Sequence, residues 1–252
     1  MSELARPARW LPPAVGLLVL AGLWELLART VFAGTHTVPT PWQTLRGLWV
    51  ERGFYPPNIE PTVLAAGKGF LIGNAIAIAL ATVCVLAPRT ERVVMPFAVM
   101  AYSVPIIAVA PILVVVFRGD TPRVVLAALS VFFTTLVATN VGLRSADQTV
   151  LDVVRAYGGG RFRQLVKVRL WASVPAVLAA FRIAAPSALL GAIIGEFLGA
   201  NSGLGSALVI AQQNLDAVRT WGIAVVVTAI ASALYGAIGL AERLIAPWYG
   251  RA

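Results

Sequence analysis

The sequence is poor in charged residues, cysteine and histidine. Only 12% of its 252 residues are charged and 59% are hydrophobic, whereas soluble domains have about 25% charged residues. So little charge cannot cover the surface of a soluble enzyme, and so much apolar character excludes a disordered chain. A single cysteine, Cys84, excludes an internal disulfide, and with the single histidine, His36, it excludes zinc sites built only from Cys and His. These absences leave a membrane protein.

Six long apolar runs follow one another along the chain, and a membrane-spanning helix needs about 20 such residues. The third run contains Pro96, Pro105 and Pro111, which predicts a kinked or broken helix. The pattern therefore predicts an all-α, polytopic membrane protein whose residues 1–252 form one domain. The six predicted spans are Leu11–Phe32, Thr62–Leu86, Val93–Phe117, Val124–Val141, Ala172–Leu198 and Trp221–Ile245.

The basic residues predict the orientation of these spans. With the N-terminus in the cytoplasm, the inner segments hold twelve of the 20 Lys and Arg residues and the outer segments at most seven. Cytoplasmic loops of membrane proteins carry an excess of Lys and Arg. We therefore predict that both termini are cytoplasmic.

The segment 144–171 is too polar to span a membrane and too apolar for a plain linker. Ser145 or Asp147 is a candidate cap for a first helix, which Gly158–Gly160 would end because glycine adopts sharp turns at little cost. A second short helix would follow, and we call the whole segment 144–171 the knob. Its apolar positions are Val150, Leu151, Val154 and Tyr157 in the first helix and Phe162, Leu165 and Val166 in the second.

Two functions suit such a knob. Apolar helices can insert into a groove on a partner protein. Alternatively, basic residues can hold an interfacial helix on anionic lipid, and the knob has Arg161, Arg163, Lys167 and Arg169 for that purpose. The residues alone leave both functions open.

The knob resembles the EAA loop of permease subunits of binding-protein-dependent ABC importers. The family pattern is E-A-A, three residues, Gly, nine residues, then I-x-L-P. The matching residues here are Asp152-Val153-Val154, Gly158 and Val168-Arg169-Leu170-Trp171, so the glycine keeps its place while Asp, Val-Val and Trp replace Glu, Ala-Ala and Pro. Four other stretches are similar to the subfamily that serves nitrate, sulfonate, taurine and bicarbonate importers. They are residues 37–45, 103–117, 140–147 and 195–208.

This resemblance implies a type I importer permease fold in the inner membrane of a prokaryote, with the knob as its coupling helix-turn-helix. It also implies three protein partners: a second permease subunit, most simply an identical one, a dimer of cytoplasmic ATPases and an extracytoplasmic solute-binding protein. The chain contains no Walker A pattern. We therefore expect ATP and Mg²⁺ to be used by the partner, and this chain to have no cofactor, metal site, catalytic residue or nucleic-acid partner of its own. The implied coupling residues are Leu151, Asp152, Val154, Gly158, Arg161, Phe162 and Leu165.

The subfamily implies a small anion as the solute, such as nitrate, a sulfonate like taurine, or bicarbonate. Similar permeases serve importers of thiamine precursors and riboflavin, so a vitamin precursor is an alternative. A stand-alone secondary transporter is a further alternative, although it would have no need of the knob. An intramembrane enzyme has little support, because the acidic residues, His36 and Cys84 do not cluster in the sequence.

Glu196 is the most informative residue inside the predicted spans, because a charge at mid-bilayer costs about 2.5–3.5 kcal/mol. It is either a gating or pathway residue, or it lies near the outer end of its span and accepts hydrogen bonds from the turn at residues 202–205. Tyr102 and Ser103 are further pathway candidates, because a broken helix frees backbone groups toward a cavity.

A ridge of small residues lies on the fifth predicted span and recurs every four positions. Such ridges allow helices to pack closely in membranes. We expect this ridge to lie near an axis shared by two permease subunits. Its members are Ser187, Gly191, Gly195 and Gly199.

Overall fold

The structure is a computed structural model, and it describes residues 11–35 and 37–249. Within these residues helix is the only regular secondary structure, as predicted. His36 and the terminal arginines lie outside the described residues. The helices are α1 (Leu11–Arg29), α2 (Pro41–Val50), α3 (Tyr55–Leu86), α4 (Pro88–Ser103), α5 (Ile106–Val116), α6 (Thr121–Arg144), α7 (Gln148–Ala156), α8 (Arg161–Gln164), α9 (Leu170–Gly199), α10 (Leu204–Gln213) and α11 (Ala217–Tyr249).

Four stretches of the described residues are long and apolar enough to cross a membrane: Tyr55–Leu86, Thr121–Arg144, Arg161–Gly199 and Ala217–Ile245. A fifth is possible if α4 and α5, which bend by 93° at their junction, form one broken span. The prolines predicted this break, and Pro105 lies directly before α5, where its missing N–H costs no helical hydrogen bond. The first predicted run coincides with α1, and a total of six spans stays a prediction.

The described residues divide into two compact units, of which the first comprises residues 11–35, 37–56 and 208–226. In this unit the ring of Trp24 stacks on that of Trp221 with centroids 5.1 Å apart. The Arg219 guanidinium donates two hydrogen bonds to the Glu51 carboxylate, at 2.6 and 2.9 Å. These hydrogen bonds hold the pKa of the Glu51 carboxyl below its usual value.

The second unit comprises residues 57–207 and 227–249 and is built on close packing of α3, α6 and α9. Glycines allow this packing. A Cβ on Gly73 would overlap Ala128 and Val131 of α6, and one on Gly195 would lie 2.6 Å from the Cα of Arg123. The core between these helices consists mainly of alanine, valine and leucine. Small side chains let the backbones approach where lipid supplies no hydrophobic force.

The second helix of the knob continues directly into a membrane span. α8 passes through one π-helical turn, Leu165–Arg169, into α9, so that helix extends without interruption from Arg161 to Gly199. The helix therefore starts eleven residues before Ala172, the predicted start of the fifth span, and the point along it at which the membrane begins stays a prediction. Trp171, which stands where the family pattern has proline, retains the backbone N–H that a continuing helix needs.

Candidate coupling knob and buried charge cluster

The first helix of the knob is fixed at both ends by local interactions. The Asp147 carboxylate accepts a hydrogen bond from Thr149 N at 2.7 Å, which selects Asp147 rather than Ser145 as the cap. Past the helix end, Gly158 has a φ of +76°, a conformation that disfavours residues with a Cβ. The next residue, Gly159, donates a backbone hydrogen bond to Val154 O at 2.8 Å and closes the turn. The predicted glycine corner is therefore present.

Two arginines tie the knob to the ends of neighbouring spans. Arg161 Nη1 donates to Leu86 O at the end of α3, at 3.3 Å, and Arg169 Nη1 donates to Leu143 O near the end of α6, at 2.9 Å. The last carbonyls of a helix lack helical partners and carry partial negative charge, so a cation is favourable there. These two basic residues therefore serve the chain itself rather than lipid.

The predicted coupling residues divide into buried anchors and exposed groups. Leu151 is fully buried and Leu165 is 3% exposed, so neither presents a surface to a partner, and Leu165 packs in a core cluster with α3, α4 and α6. Val154 is half-buried. Asp152 is exposed and paired with Arg155 at 2.8 Å. Phe162 is 71% exposed.

Several exposed apolar residues of the knob are not among the predicted coupling residues, and two of them, Val153 and Tyr157, lie in or directly after the second half of α7. Tyr157 is 84% exposed and Val153 is 52% exposed. The helical period places both on the side of α7 opposite Leu151, but it does not tell which of the two sides is buried. Phe162 is a third exposed apolar side chain on this arginine-rich segment, and we call these three residues the knob face.

Glu196 lies in a buried cluster of polar groups near the end of α9. Its side chain is fully buried. Oε2 accepts hydrogen bonds from Thr62 Oγ1 at 2.8 Å and from Gly205 N at 3.0 Å, and Oε1 accepts one from Arg123 Nη1 at 3.3 Å. Each carboxylate oxygen is therefore satisfied within the chain, as a buried charge requires.

The turn after α9 is shaped around this carboxylate. Arg123 also donates to Ser202 O at 3.4 Å and pairs with Asp120 at 2.5 Å. A Cβ on Gly203 or on Gly205 would overlap the Glu196 side chain. The geometry supports the interpretation that Glu196 holds the turn at the end of its span, and a pathway role for Glu196 stays a prediction.

Tyr102 and Ser103 lie at the break between α4 and α5, as predicted. Both are exposed. The Ser103 hydroxyl donates to Val99 O within its own helix at 2.9 Å, and the Tyr102 ring stacks on Phe133 with centroids 4.4 Å apart. Their place beside the helix break leaves a pathway role open to experiment.

The small-residue ridge is covered by the same chain. Gly191 abuts Leu126 and Ala127 of α6, and Gly199 abuts Val114 of α5. Ser187 is half-buried and donates to Ile183 O of its own helix at 3.0 Å. The ridge therefore packs on α5 and α6 of its own chain, and its nearness to an axis shared by two subunits stays a prediction. The four-residue spacing of the small side chains could not tell which helix would pack against the ridge.

Titratable residues do not gather into a metal site in the described part of the chain. Nowhere among these residues do three His, Cys, Asp or Glu side chains come together. The charged clusters pair acids with arginines instead, as at Glu91, which accepts hydrogen bonds from Asn140 and Arg144.

Comparison with known proteins settles the family. The family of inner membrane components of binding-protein-dependent transport systems matches residues 71–250. The chain belongs to this family. It is therefore a permease subunit of an ABC importer and a multi-pass membrane protein that serves transport. The alternative of a stand-alone secondary transporter is thereby excluded.

Relatives and a solved structure agree with this assignment over most of the chain. The formylaminopyrimidine transport permease ThiX of Halalkalibacterium halodurans is 27% identical over 94% of this chain and 96% of its own length. The aliphatic sulfonates transport permease SsuC of Bacillus subtilis is 24% identical over 95% of this chain and 88% of its own. A chain of the MetNI methionine ABC transporter in an inward-facing conformation superimposes with a TM-score of 0.60 over 81% of this chain and 96% of its own. At 19% identity that likeness shows the fold alone, the type I importer permease fold.

Proposed function

We propose that the knob docks a separate cytoplasmic ABC ATPase and transmits its movement to the membrane spans. ATP and Mg²⁺ then belong to that partner. A second copy of the chain completes the translocation pathway, and a solute-binding protein delivers the solute at the opposite membrane face, near the Glu196 cluster.

The observation that carries this proposal is the combination of an exposed apolar face with a firm attachment. Val153, Tyr157 and Phe162 are exposed apolar residues. Val153 and Tyr157 precede the apolar stretch Arg161–Gly199, and Phe162 lies in its first turn. Exposed aromatic groups of this kind are typical anchors of protein interfaces.

The attachment gives the knob a means to move the spans. Arg161 and Arg169 bond the ends of α3 and α6, and α8 continues into α9. A displacement of the knob is therefore passed to three spans together, because packed helices move as rigid elements. A surface helix that only rests on lipid needs no such linkage.

The orientation proposal places both termini in the cytoplasm. Single cysteines in a Cys84→Ser background test it with a reagent that does not cross membranes. Pro57→Cys and Ser202→Cys, both at exposed positions, should react in intact cells, whereas Arg89→Cys and Gly160→Cys should react only after permeabilisation. The reverse pattern would contradict the orientation and the ATPase contact together.

For the solute we propose a small anion such as nitrate, a sulfonate or bicarbonate. The subfamily motifs and the sulfonate permease among the relatives support an anion. The relative named for formylaminopyrimidine transport supports a vitamin precursor as the alternative. Uptake by the complex reconstituted with its binding protein should be inhibited by the anions, and inhibition by a pyrimidine alone would contradict the proposal.

Docking is tested by removing the two aromatic side chains of the knob face. Tyr157→Ala and Phe162→Ala should each weaken ATPase binding by about 2 kcal/mol, or roughly 30-fold in affinity, because central aromatic anchors carry such energies. The matched control is Phe97→Ala on α4, which removes an aromatic group that is 64% exposed but lies outside the knob. Co-purification of the ATPase measures the effect. Undiminished binding by both knob variants would refute docking at this face.

A further inference from the structure

Arg182 lies near the middle of the membrane. α6 and α9 run antiparallel, since Gly142 of α6 abuts Ser173 and Arg123 of α6 abuts Gly195. The stretch from Ser173 to Gly195 therefore accompanies almost the whole of α6 and is about 33 Å long at about 1.5 Å per residue, close to the thickness of the hydrocarbon core. Its midpoint is residue 184, two residues from Arg182.

Two residues of α11 form a partial site around the guanidinium. Arg182 Nη1 lies 3.7 Å from Glu242 Oε2, beyond hydrogen-bond distance, and its Cζ lies 4.2 Å from the centre of the Tyr235 ring. Gly239 makes room for it, because a Cβ there would lie 3.1 Å from Arg182 Cζ and Nε. The Nε is buried and has no hydrogen-bond partner among the described residues.

This arginine nevertheless stays 35% exposed. Hydrocarbon does not solvate a guanidinium, and arginines reach the membrane surface only from positions near helix ends. A half-exposed arginine at mid-depth must therefore face water or protein. The loose contact with Glu242 leaves donors of the guanidinium fork free for another acceptor.

We infer that Arg182, with Glu242 and Tyr235, lines a water-filled face of the permease and binds an anionic group of the solute at mid-membrane. The planar fork of arginine fits carboxylate, sulfonate or phosphate oxygens. Glu242 neutralises the empty site and keeps the bound anion from being held too tightly, which passage through a membrane requires. The claim that this face carries solute rests on the proposed transport role.

Cysteine chemistry tests the site without knowledge of the solute. The reporter is Ala179→Cys in a Cys84→Ala background, because Ala179 is exposed and lies one helical turn from Arg182. We would compare its reaction rates with an anionic sulfonatoethyl and a cationic trimethylammonioethyl methanethiosulfonate. Because a cation focuses anions in a narrow cleft, the anionic reagent should react roughly tenfold faster.

Variants that change the charge of the site show whether the preference for the anionic reagent comes from Arg182 and Glu242 or only from the accessibility of the reporter cysteine. Arg182→Gln should abolish the preference for the anionic reagent, Arg182→Lys should retain most of it, and Glu242→Gln should increase it. The control is Ala75→Cys, exposed on α3 two residues past Gly73, whose rate ratio should not depend on residue 182.

Two outcomes would overturn the inference. A reporter at position 179 that reacts with neither reagent shows a face covered by lipid or by a second subunit. A preference that survives Arg182→Gln, or that Glu242→Gln leaves unchanged, shows that these charges do not form the site. ATPase co-purification in the same variants separates the anion site from the proposed docking of the ATPase. If the ATPase failed to bind while the preference for the anionic reagent remained, only the proposed docking would be contradicted.

Discussion

The Glu196 cluster and the knob lie at opposite ends of one continuous helix, Arg161–Gly199, and they use polar and apolar groups in opposite ways. At the Glu196 end, a buried carboxylate finds all its donors inside the chain. At the knob end, Arg161 and Arg169 are used for attachment, while Tyr157 and Phe162 remain exposed. A carboxylate that is satisfied within the chain serves the fold, whereas an apolar surface left open on a firm support suits the proposed partner.

The largest expected effect is the loss of the buried carboxylate. Glu196→Ala leaves the Arg123 guanidinium, which is 5% exposed, without its buried counter-ion. We expect the free energy of unfolding to fall by about 3–5 kcal/mol, as for other broken buried pairs. Thermal unfolding in detergent measures it, with Glu60→Ala, an exposed acid of the same unit, as the control. Equal stability of the two variants would show that the Glu196 end is not self-contained.

A smaller effect is expected where α9 packs on α6. Gly195→Ala places a Cβ 2.6 Å from the Arg123 Cα, so the helices must separate. Overpacking of this kind costs about 1–3 kcal/mol. Gly67→Ala on α3 is the control, because a Cβ there meets nothing within 4 Å. If both variants unfold at the wild-type temperature, the ridge is not closely packed.

The smallest effect concerns the ion pair of Glu51 and Arg219. Both side chains are partly exposed, so solvent weakens the attraction between their charges. Because the pKa of Glu51 is lowered in the folded state, its contribution is complete above the ordinary glutamate pKa and is lost as the pH falls through the folded pKa. Glu51→Gln should therefore cost about 0.2–1 kcal/mol at pH 7, and the difference should vanish in acid. Unfolding temperatures of both proteins between pH 7 and pH 3 test this. A difference that persists at pH 3 would mean that charge is not its source.

Local features of both ends could be predicted from the sequence. Asp147 caps α7, Gly158 turns the chain and the prolines break the third span, because each effect depends on a few neighbouring residues. The turn of residues 202–205 as a partner of Glu196 was predictable for the same reason.

Partners distant in sequence could not be predicted. Thr62 and Arg123 lie 134 and 73 residues from Glu196, and no spacing rule connects them. Likewise, the apolar residues of α7 lie on two sides of the helix, and only the structure shows that Leu151 is buried while Tyr157 remains exposed. Periodicity does not tell an internal contact from a docking surface, because both bury the same kind of side chain.

The central claim is that the knob transmits force to the spans, and the most direct measurement is solute-stimulated ATP hydrolysis together with uptake by the reconstituted complex. Gly158→Val strains the corner, since φ there is +76°, and should uncouple hydrolysis from uptake with the spans still inserted. Gly160→Val is the control, because its φ is −72° and a Cβ there meets nothing within 4 Å. A double Arg163→Gln and Lys167→Gln variant tests lipid anchoring and should stay coupled. Full coupling in Gly158→Val with loss in the double variant would show that the knob is a lipid anchor and would contradict the account.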